Sequence, residues 1–236
     1  MRILPLMLML AVTTSSFSQK VVDVSENNLP NTRGIFYTVG GQPVSNTKYV
    51  RVVDGSPYLY TSFTQGRLML SLGTVYKDIM LKLDLVDHSL HYLTPGGEEL
   101  TAATPVKTIW LEDPLTKKEI KFDHSAFMGA TGKIETGWYQ QLDSGTVKLY
   151  KRHIKTIREN KPYGSATYEQ YINNSYRYYI LINSVFTQVN KIKALPDMLQ
   201  DKKDELLKFI SSNNFSDKAD ADYISVITWY NSLVKK

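Results

Sequence analysis

The sequence predicts a mainly β fold of the α+β class, in which an antiparallel meander rolls into a barrel-like or sandwich sheet and two helices follow at the C-terminus. Three observations predict it. Apolar residues recur mostly at every second position from residue 50 to about residue 189, turn-forming residues interrupt them at short intervals, and helical spacing replaces the alternation after residue 193. Alternation with a period of two is typical of half-buried strands.

The clearest predicted strand covers residues 79–85. Its apolar face consists of Ile79, Leu81, Leu83 and Leu85, and its other face of Met80, Lys82 and Asp84. Similar alternation occurs at residues 68–72, 120–122, 138–142, 147–149 and 176–182. Turn signals lie between the segments, at Asp87-His88, Pro95-Gly96-Gly97, Asp113-Pro114, Asp143-Ser144-Gly145 and Asn183-Ser184. Roughly nine or ten short strands of this kind are enough to form a barrel or a two-layer sandwich.

Helical spacing begins near Pro196, which suits the first turn of a helix. An interrupted apolar stripe follows, formed by Leu199, Leu206, Phe209 and Ile210. A second helix is predicted after Ser216, which can cap it, with its apolar stripe at Tyr223, Val226, Ile227 and Tyr230. We therefore divide the mature chain into a β-rich domain at residues 19–193 and a helical segment at residues 194–236 that packs on it.

The N-terminus has the pattern of a secretory signal peptide. Arg2 precedes an apolar stretch of ten residues, 3–12, which is too short to span a bilayer. Small residues at positions 16 and 18 then predict cleavage between Ser18 and Gln19. We expect residues 1–18 to be removed, a mature chain without a transmembrane span, and export to the periplasm or cell surface of a Gram-negative bacterium.

The chain contains no cysteine, which excludes disulfides, thiolate catalysis and cysteine-ligated zinc. Its formal net charge of +5 is a mild surplus that does not indicate nucleic acid as a partner. The 16 tyrosines and 8 phenylalanines supply large amphipathic area for a packed core. No motif calls for a cofactor, and we expect none.

Several short motifs resemble a family of secreted proteins from Bacteroidetes-type bacteria. They are Gly55-Ser56-Pro57-Tyr58, Gly66, Gly73, the segments IMLKLDLVDHSLHYLTPGGEEL and YQQLDSGTVKLYKR, Tyr163-Gly164 and Trp229-Tyr230-Asn231. The resemblance covers roughly residues 55–233 and implies a Gram-negative envelope location. It implies no catalytic residue, because the family has no established activity and these motifs are structural.

Three sequence patterns contain residue types used in metal binding or catalysis, but their spacing does not suit either role. His88 and His91 are three residues apart and fall on opposite faces of a strand, so they do not converge on a metal. Adjacent residues of Asp123-His124-Ser125 point to alternate faces and cannot form a nucleophilic triad. Glu98 and Glu99 adjoin a turn, where a solvated role is usual. We predict no catalytic residue and no metal site.

Two groups of residues are candidates for a binding surface. A basic run could contact phosphates of lipid or polysaccharide through Lys148, Lys151, Arg152, Lys155 and Arg158. Tyr163, Tyr176 and Tyr178 could form an aromatic surface for sugars or peptides. The alternatives are a solvated strand for the basic run and core packing for the tyrosines.

These observations lead to two functional hypotheses. The first is a non-catalytic scaffold or binding protein of the cell envelope, with lipid, polysaccharide or protein as its partner. The second is an envelope hydrolase whose site is assembled from residues distant in sequence. A pocket lined by His124 or His153 together with a carboxylate would favour the enzyme, and a flat aromatic or basic face would favour binding.

Overall fold

The computed structural model describes residues 21–22, 40–44 and 47–234 of the chain. These residues form a sheet of fourteen strands and a C-terminal helical segment. The strands are β1 (Val21–Val22), β2 (Gly41–Pro43), β3 (Val52–Asp54), β4 (Thr64–Leu70), β5 (Val75–Leu83), β6 (Leu90–Leu93), β7 (Glu99–Ala102), β8 (Val106–Glu112), β9 (Glu119–His124), β10 (Thr131–Gly132), β11 (Trp138–Asp143), β12 (Lys148–Asn160), β13 (Glu169–Ile182) and β14 (Val185–Val189). The predicted cleavage site at Ser18 and Gln19 lies outside the described residues.

The sheet is mixed and is not closed. Its strands follow the order β10-β14-β13-β12-β11-β9-β8-β4-β5-β6-β7-β2, with β1 beside β5 and β3 beside β13. Only the short strands β1, β3 and β10 pair in parallel, and every other pairing among the described strands is antiparallel. The predicted mainly β fold is therefore confirmed, and the open sheet is consistent with a barrel-like or sandwich arrangement.

One hydrophobic cluster lies under strands β4 to β9. The face predicted to be apolar on residues 79–85 belongs to it, because Ile79, Leu81, Leu83 and Leu85 are all at most 3% exposed. Leu72 departs from the predicted alternation and is 93% exposed. Strand β4 ends at Leu70, and the chain turns at Gly73, whose φ is +87°. The alternating apolar pattern of the sequence therefore includes one residue, Leu72, that lies beyond the end of the strand.

The helical segment shares a second hydrophobic cluster with strands β12 to β14. Its helices are α1 (Leu195–Met198), α2 (Lys203–Ser211) and α3 (Asp220–Val234). The first predicted helix is divided into α1 and α2, because Leu199 leaves helical geometry at φ −117° and ψ 62°. Buried side chains of both parts meet in this cluster, among them Leu149, Ile180, Leu206, Val226 and Ile227.

A third cluster lies on the opposite face of the sheet from the helices. Tyr139, Tyr150, Tyr179, Leu181 and Phe186 are its buried members. The 13-residue β12 pairs along its whole length with the 14-residue β13. Their alternate side chains enter the second and the third cluster on the two faces of the sheet. Among the described residues, we find no helix that has both the length and the hydropathy needed to cross a membrane.

Candidate functional site

A pocket of about 300 Å³ lies on the outer face of the sheet and contains three lysines. We call it the three-lysine pocket. Lys107 comes from β8, Lys121 from β9 and Lys148 from the start of β12. The rest of its lining is Met69, Thr108, Trp110, Asp123, Phe127, Met128, Tyr150 and Leu181.

Strand register explains why these residues meet. Strands β8 and β9 pair Thr108 with Asp123 and Trp110 with Lys121. Directly paired residues share a face of the sheet, so these four side chains lie together on the outer face. Ile109 alternates with them and is buried in the first cluster. The same alternation that builds the core therefore places polar side chains in the pocket.

Asp123 is fully engaged at the base of the pocket. Its Oδ1 accepts a hydrogen bond from the Thr108 hydroxyl at 2.8 Å, and its Oδ2 accepts one from the Tyr150 hydroxyl at 3.2 Å. The Lys121 ammonium lies 3.2 Å from Oδ2 and also donates to Gln141 at 2.7 Å. Burial, together with the neighbouring Asp123 carboxylate, raises the pKa of Tyr150 well above its ordinary value. Tyr150 therefore stays a hydrogen-bond donor.

Lys107 and Lys148 have free ammonium groups. Neither forms an ion pair or a hydrogen bond with any residue in the described part of the chain. Asp123 is the only acidic residue among the described residues that line the pocket, and Lys121 already compensates it. Two lysines that line the pocket therefore have ammonium groups without a partner in the described part of the chain, a charge distribution that attracts anions.

Apolar side chains form part of the pocket wall beside its polar lining. Trp110 forms one side and is held there by Arg67, whose guanidinium carbon lies 4.0 Å from the ring centroid. Arg67 is itself fixed by two hydrogen bonds to Glu119, at 2.9 and 2.8 Å. Phe127 and Met128 supply further apolar surface. Such a site can bind the anionic group of a ligand through the lysines, while the apolar faces of the same ligand contact the aromatic and methionine side chains.

The five residues of the predicted basic run do not share a face, because they alternate along β12. Lys148 lines the three-lysine pocket, and Arg158 lies over the ring of Tyr171 at 5.0 Å. The other three contact the protein itself. Lys151 donates to Asp220 at 2.8 Å, Lys155 donates to backbone carbonyls of Ser56 and Tyr58, and Arg152 is buried in an ion pair with Glu135.

The three predicted tyrosines are also separated. Tyr163 is fully exposed in the loop between β12 and β13, whereas Tyr176 and Tyr178 lie on β13 beside helix α3. Tyr178 is 3% exposed, stacks on Tyr223 at 3.8 Å and donates to Asp220. Tyr176 is 40% exposed and contacts Tyr178 edge-on at 5.5 Å. Of these three tyrosines, Tyr176 is therefore the one that exposes surface at the helix–sheet junction.

His153 gives this junction a testable pH dependence. Its Nε2 lies 2.7 Å from Gln140 Oε1, and burial, helped by Lys151, lowers its pKa from 6.5 to about 4. The unfolded chain binds this proton near pH 6.5, so the folded state loses stability as the pH falls from 6.5 to 4. We expect this histidine to account for a loss of about 1–3 kcal/mol in the free energy of unfolding over that window.

The comparison is urea unfolding of the wild type and His153→Gln at pH 7, 5.5 and 4. The variant should lose less stability than the wild type between pH 7 and pH 4, because it carries no titrating imidazole at this position. Parallel losses in the two proteins would contradict the assignment.

Sequence reasoning missed most of the three-lysine pocket. Lys121 belongs to a predicted strand, but the strand of Lys107 was not predicted. Strict alternation would place Lys107 on the opposite face from Thr108 and Trp110, and a register shift between β4 and β8 interrupts the alternation at this point. The alternation was the one signal that could have revealed part of the pocket. It places Thr108 and Trp110 on one strand, and Lys121 and Asp123 on the next, at positions that face away from the core.

In comparisons with protein-family models, curated proteins and solved structures, none matches this chain. The resemblance to secreted proteins of Bacteroidetes-type bacteria stays a prediction. The functional argument therefore depends on the geometry of the sites.

Proposed function

We propose that this protein is a binding protein of the cell envelope, and that the three-lysine pocket binds a carboxylate or phosphate group carried by a saccharide. The observation that carries the proposal is the pair of unpartnered ammonium groups, Lys107 and Lys148, in a pocket whose only described acid is already compensated. The envelope location is supported by the signal-peptide pattern of residues 1–18.

The dimensions and chemistry of the pocket support a ligand of this class. A volume of about 300 Å³ is at the lower end of the range for small-molecule sites, and suits a single sugar unit. Trp110 supplies a flat apolar wall, while Thr108 and Tyr150 are held in fixed positions by Asp123. A free sugar acid and the same group on an envelope polymer present the same chemistry to these residues.

Calorimetric titration tests the proposal with galacturonate, inorganic phosphate and lipopolysaccharide as probes and galactose as the neutral comparison. We expect the anionic probes to bind and galactose not to bind, with affinity falling as salt rises through about 0.1 M. Lys107→Gln combined with Lys148→Gln should weaken binding by at least about tenfold, because each charged hydrogen bond contributes about 1.5–3 kcal/mol.

The control is Lys193→Gln combined with Lys208→Gln, which removes the same charge from exposed positions of the helical segment. It should bind like the wild type. Binding of lipopolysaccharide would identify an envelope polymer as the source of the ligand, and binding of the small probes alone would identify a free molecule. Equal affinity of the two double variants, or binding of no anionic probe at low salt, would refute the proposal.

A further inference from the structure

A continuous chain of hydrogen bonds joins Ser89, His91 and Glu99 at β6 and β7, where β6 is three strands from β8 in the sheet order. Ser89 Oγ lies 3.0 Å from His91 Nε2, and His91 Nδ1 lies 2.7 Å from Glu99 Oε1. Ser89 directly precedes β6 and is two residues from His91, so both side chains lie on one face. Register places Glu99, the first residue of β7, diagonally across from His91 on that face.

The acid end of the chain is fixed in its ionised state. Lys82 Nζ lies 2.8 Å from Glu99 Oε1, and the Lys82 ammonium also lies over the rings of Tyr58 and Phe63. Burial tends to raise the pKa of Glu99, but hydrogen bonds from Lys82 and His91 outweigh it, so the pKa is lowered. Glu99 adjoins the turn as expected, but its carboxylate pairs with Lys82 and His91 and does not have the purely solvated role expected from the sequence.

An ionised carboxylate fixes the tautomer of the histidine. It can only accept, so His91 donates its Nδ1 proton to Glu99 and turns the Nε2 lone pair toward the Ser89 hydroxyl. His91 is 4% exposed, so its ring is held in place by packing as well as by hydrogen bonds. A serine, a histidine and a carboxylate in this order and at these distances form the arrangement that activates a serine nucleophile.

Ser89 is one of the residues that line a cleft of about 380 Å³. Apolar side chains line much of it, including Leu90, Val106, Phe127 and Trp138. His124 lines the same cleft, and its Nδ1 accepts a hydrogen bond from the Ala126 amide, so the neutral ring carries its proton on Nε2. Burial, together with His88, lowers the pKa of His124. The cleft therefore combines an apolar lining with an N–H donor.

We propose that Ser89 and His91 are the nucleophile and general base of a site that hydrolyses carboxylic esters with small apolar acyl groups, and that Glu99 is the positioning residue for His91. Ser89 Oγ bonds to the acyl carbon while its proton passes to His91 Nε2. The bond to the leaving alcohol then breaks, and His91 returns the proton to that alcohol. Water attacks the acyl-serine in the same way, releasing the carboxylic acid and restoring Ser89.

This activity goes beyond ligand binding and gives the hydrolase hypothesis specific residues. The binding proposal and the ester proposal share no residue of their central sets. The failure of one test therefore leaves the other intact.

Labelling with a fluorophosphonate tests the proposal directly. After incubation of the full chain with the probe, peptide mapping should place the adduct on Ser89, and Ser89→Ala should lose it together with hydrolysis of p-nitrophenyl acetate. Ser71→Ala, which changes an exposed turn serine, should keep both. An adduct confined to other serines, or no adduct on wild-type Ser89, overturns the proposal even if Ser89→Ala fails to fold.

The positioning role of Glu99 has its own test. Glu99→Gln should slow labelling of Ser89 by at least tenfold in a protein whose thermal midpoint shows that it is folded, and Glu99→Asp should restore part of the rate because it retains the charge. Labelling of folded Glu99→Gln at the wild-type rate overturns the role.

Discussion

Leu83→Ala is expected to reduce the free energy of unfolding by about 2–5 kcal/mol, the range for truncating a fully buried leucine. Leu83 is 1% exposed and belongs to the cluster under β4 to β9, with Leu81 and Leu85 on the same face. The truncation removes apolar contacts and leaves a cavity that surrounding strands cannot easily fill, because cross-strand hydrogen bonds fix their spacing. Urea unfolding followed by circular dichroism measures the loss.

Met80→Ala is the matched control for this strand. Met80 lies on β5 three positions before Leu83, on the opposite face, and is 40% exposed. Its truncation should cost less than about 1 kcal/mol. A loss below about 1 kcal/mol for Leu83→Ala, or equal losses for the two variants, would show that the faces of this strand are assigned the wrong way round.

The strands and their buried faces could be predicted from the sequence because both depend on residues that are close together in the chain. Alternation on residues 79–85 identifies both the strand and its buried face, because a side chain's face is decided by its position within one strand. Asp84 shows the limit of that reasoning. It lies on the predicted polar face but is 1% exposed, since Tyr49 and the amides of Val86 and Asp87 surround its carboxylate.

Partners that are distant in sequence were not predictable. Strand alternation separates Arg152 from Lys151, but nothing local reveals that Glu135 and Asp220 are their partners, 17 and 69 residues away. The same applies to the three-lysine pocket, whose three lysines come from three different strands. By contrast, Ser89 and His91 are only two residues apart, so the period of two already suggested that they share a face. Only the diagonal position of Glu99 required the register of β6 and β7.

Asn231 connects two of the motifs on which the family resemblance is based. It belongs to Trp229-Tyr230-Asn231 on α3, and its partner Val147 belongs to YQQLDSGTVKLYKR, 84 residues earlier. Its Oδ1 accepts the Val147 amide at 2.9 Å, and its Nδ2 donates to the Val147 carbonyl at 2.8 Å. A Cβ on Gly145 would approach the Asn231 amide to 2.6 Å, so Gly145 leaves room for this contact.

Asn231→Ala is therefore expected to cost about 2–6 kcal/mol, because it leaves two polar groups of a buried residue without partners, at about 1–3 kcal/mol each. Val147 is 0% exposed and Asn231 is 5% exposed, so water does not readily replace the lost amide. Ser232→Ala, at an exposed neighbouring position on α3, should leave stability within about 0.5 kcal/mol of the wild type. Urea unfolding measures both variants.

Hydrogen exchange distinguishes the loss of the two Asn231–Val147 hydrogen bonds from a general loss of stability. In Asn231→Ala, the Val147 amide should exchange faster than the overall destabilisation accounts for, whereas amides in the distant cluster under β4 to β9, such as that of Leu81, should follow the global change alone. Proportional changes at both positions would mean that Asn231 supports the fold through packing rather than through its two hydrogen bonds to Val147. Retained protection of the Val147 amide in a destabilised variant would contradict this role outright, since Asn231 Oδ1 is the acceptor of that amide in the described part of the chain and the substitution removes it.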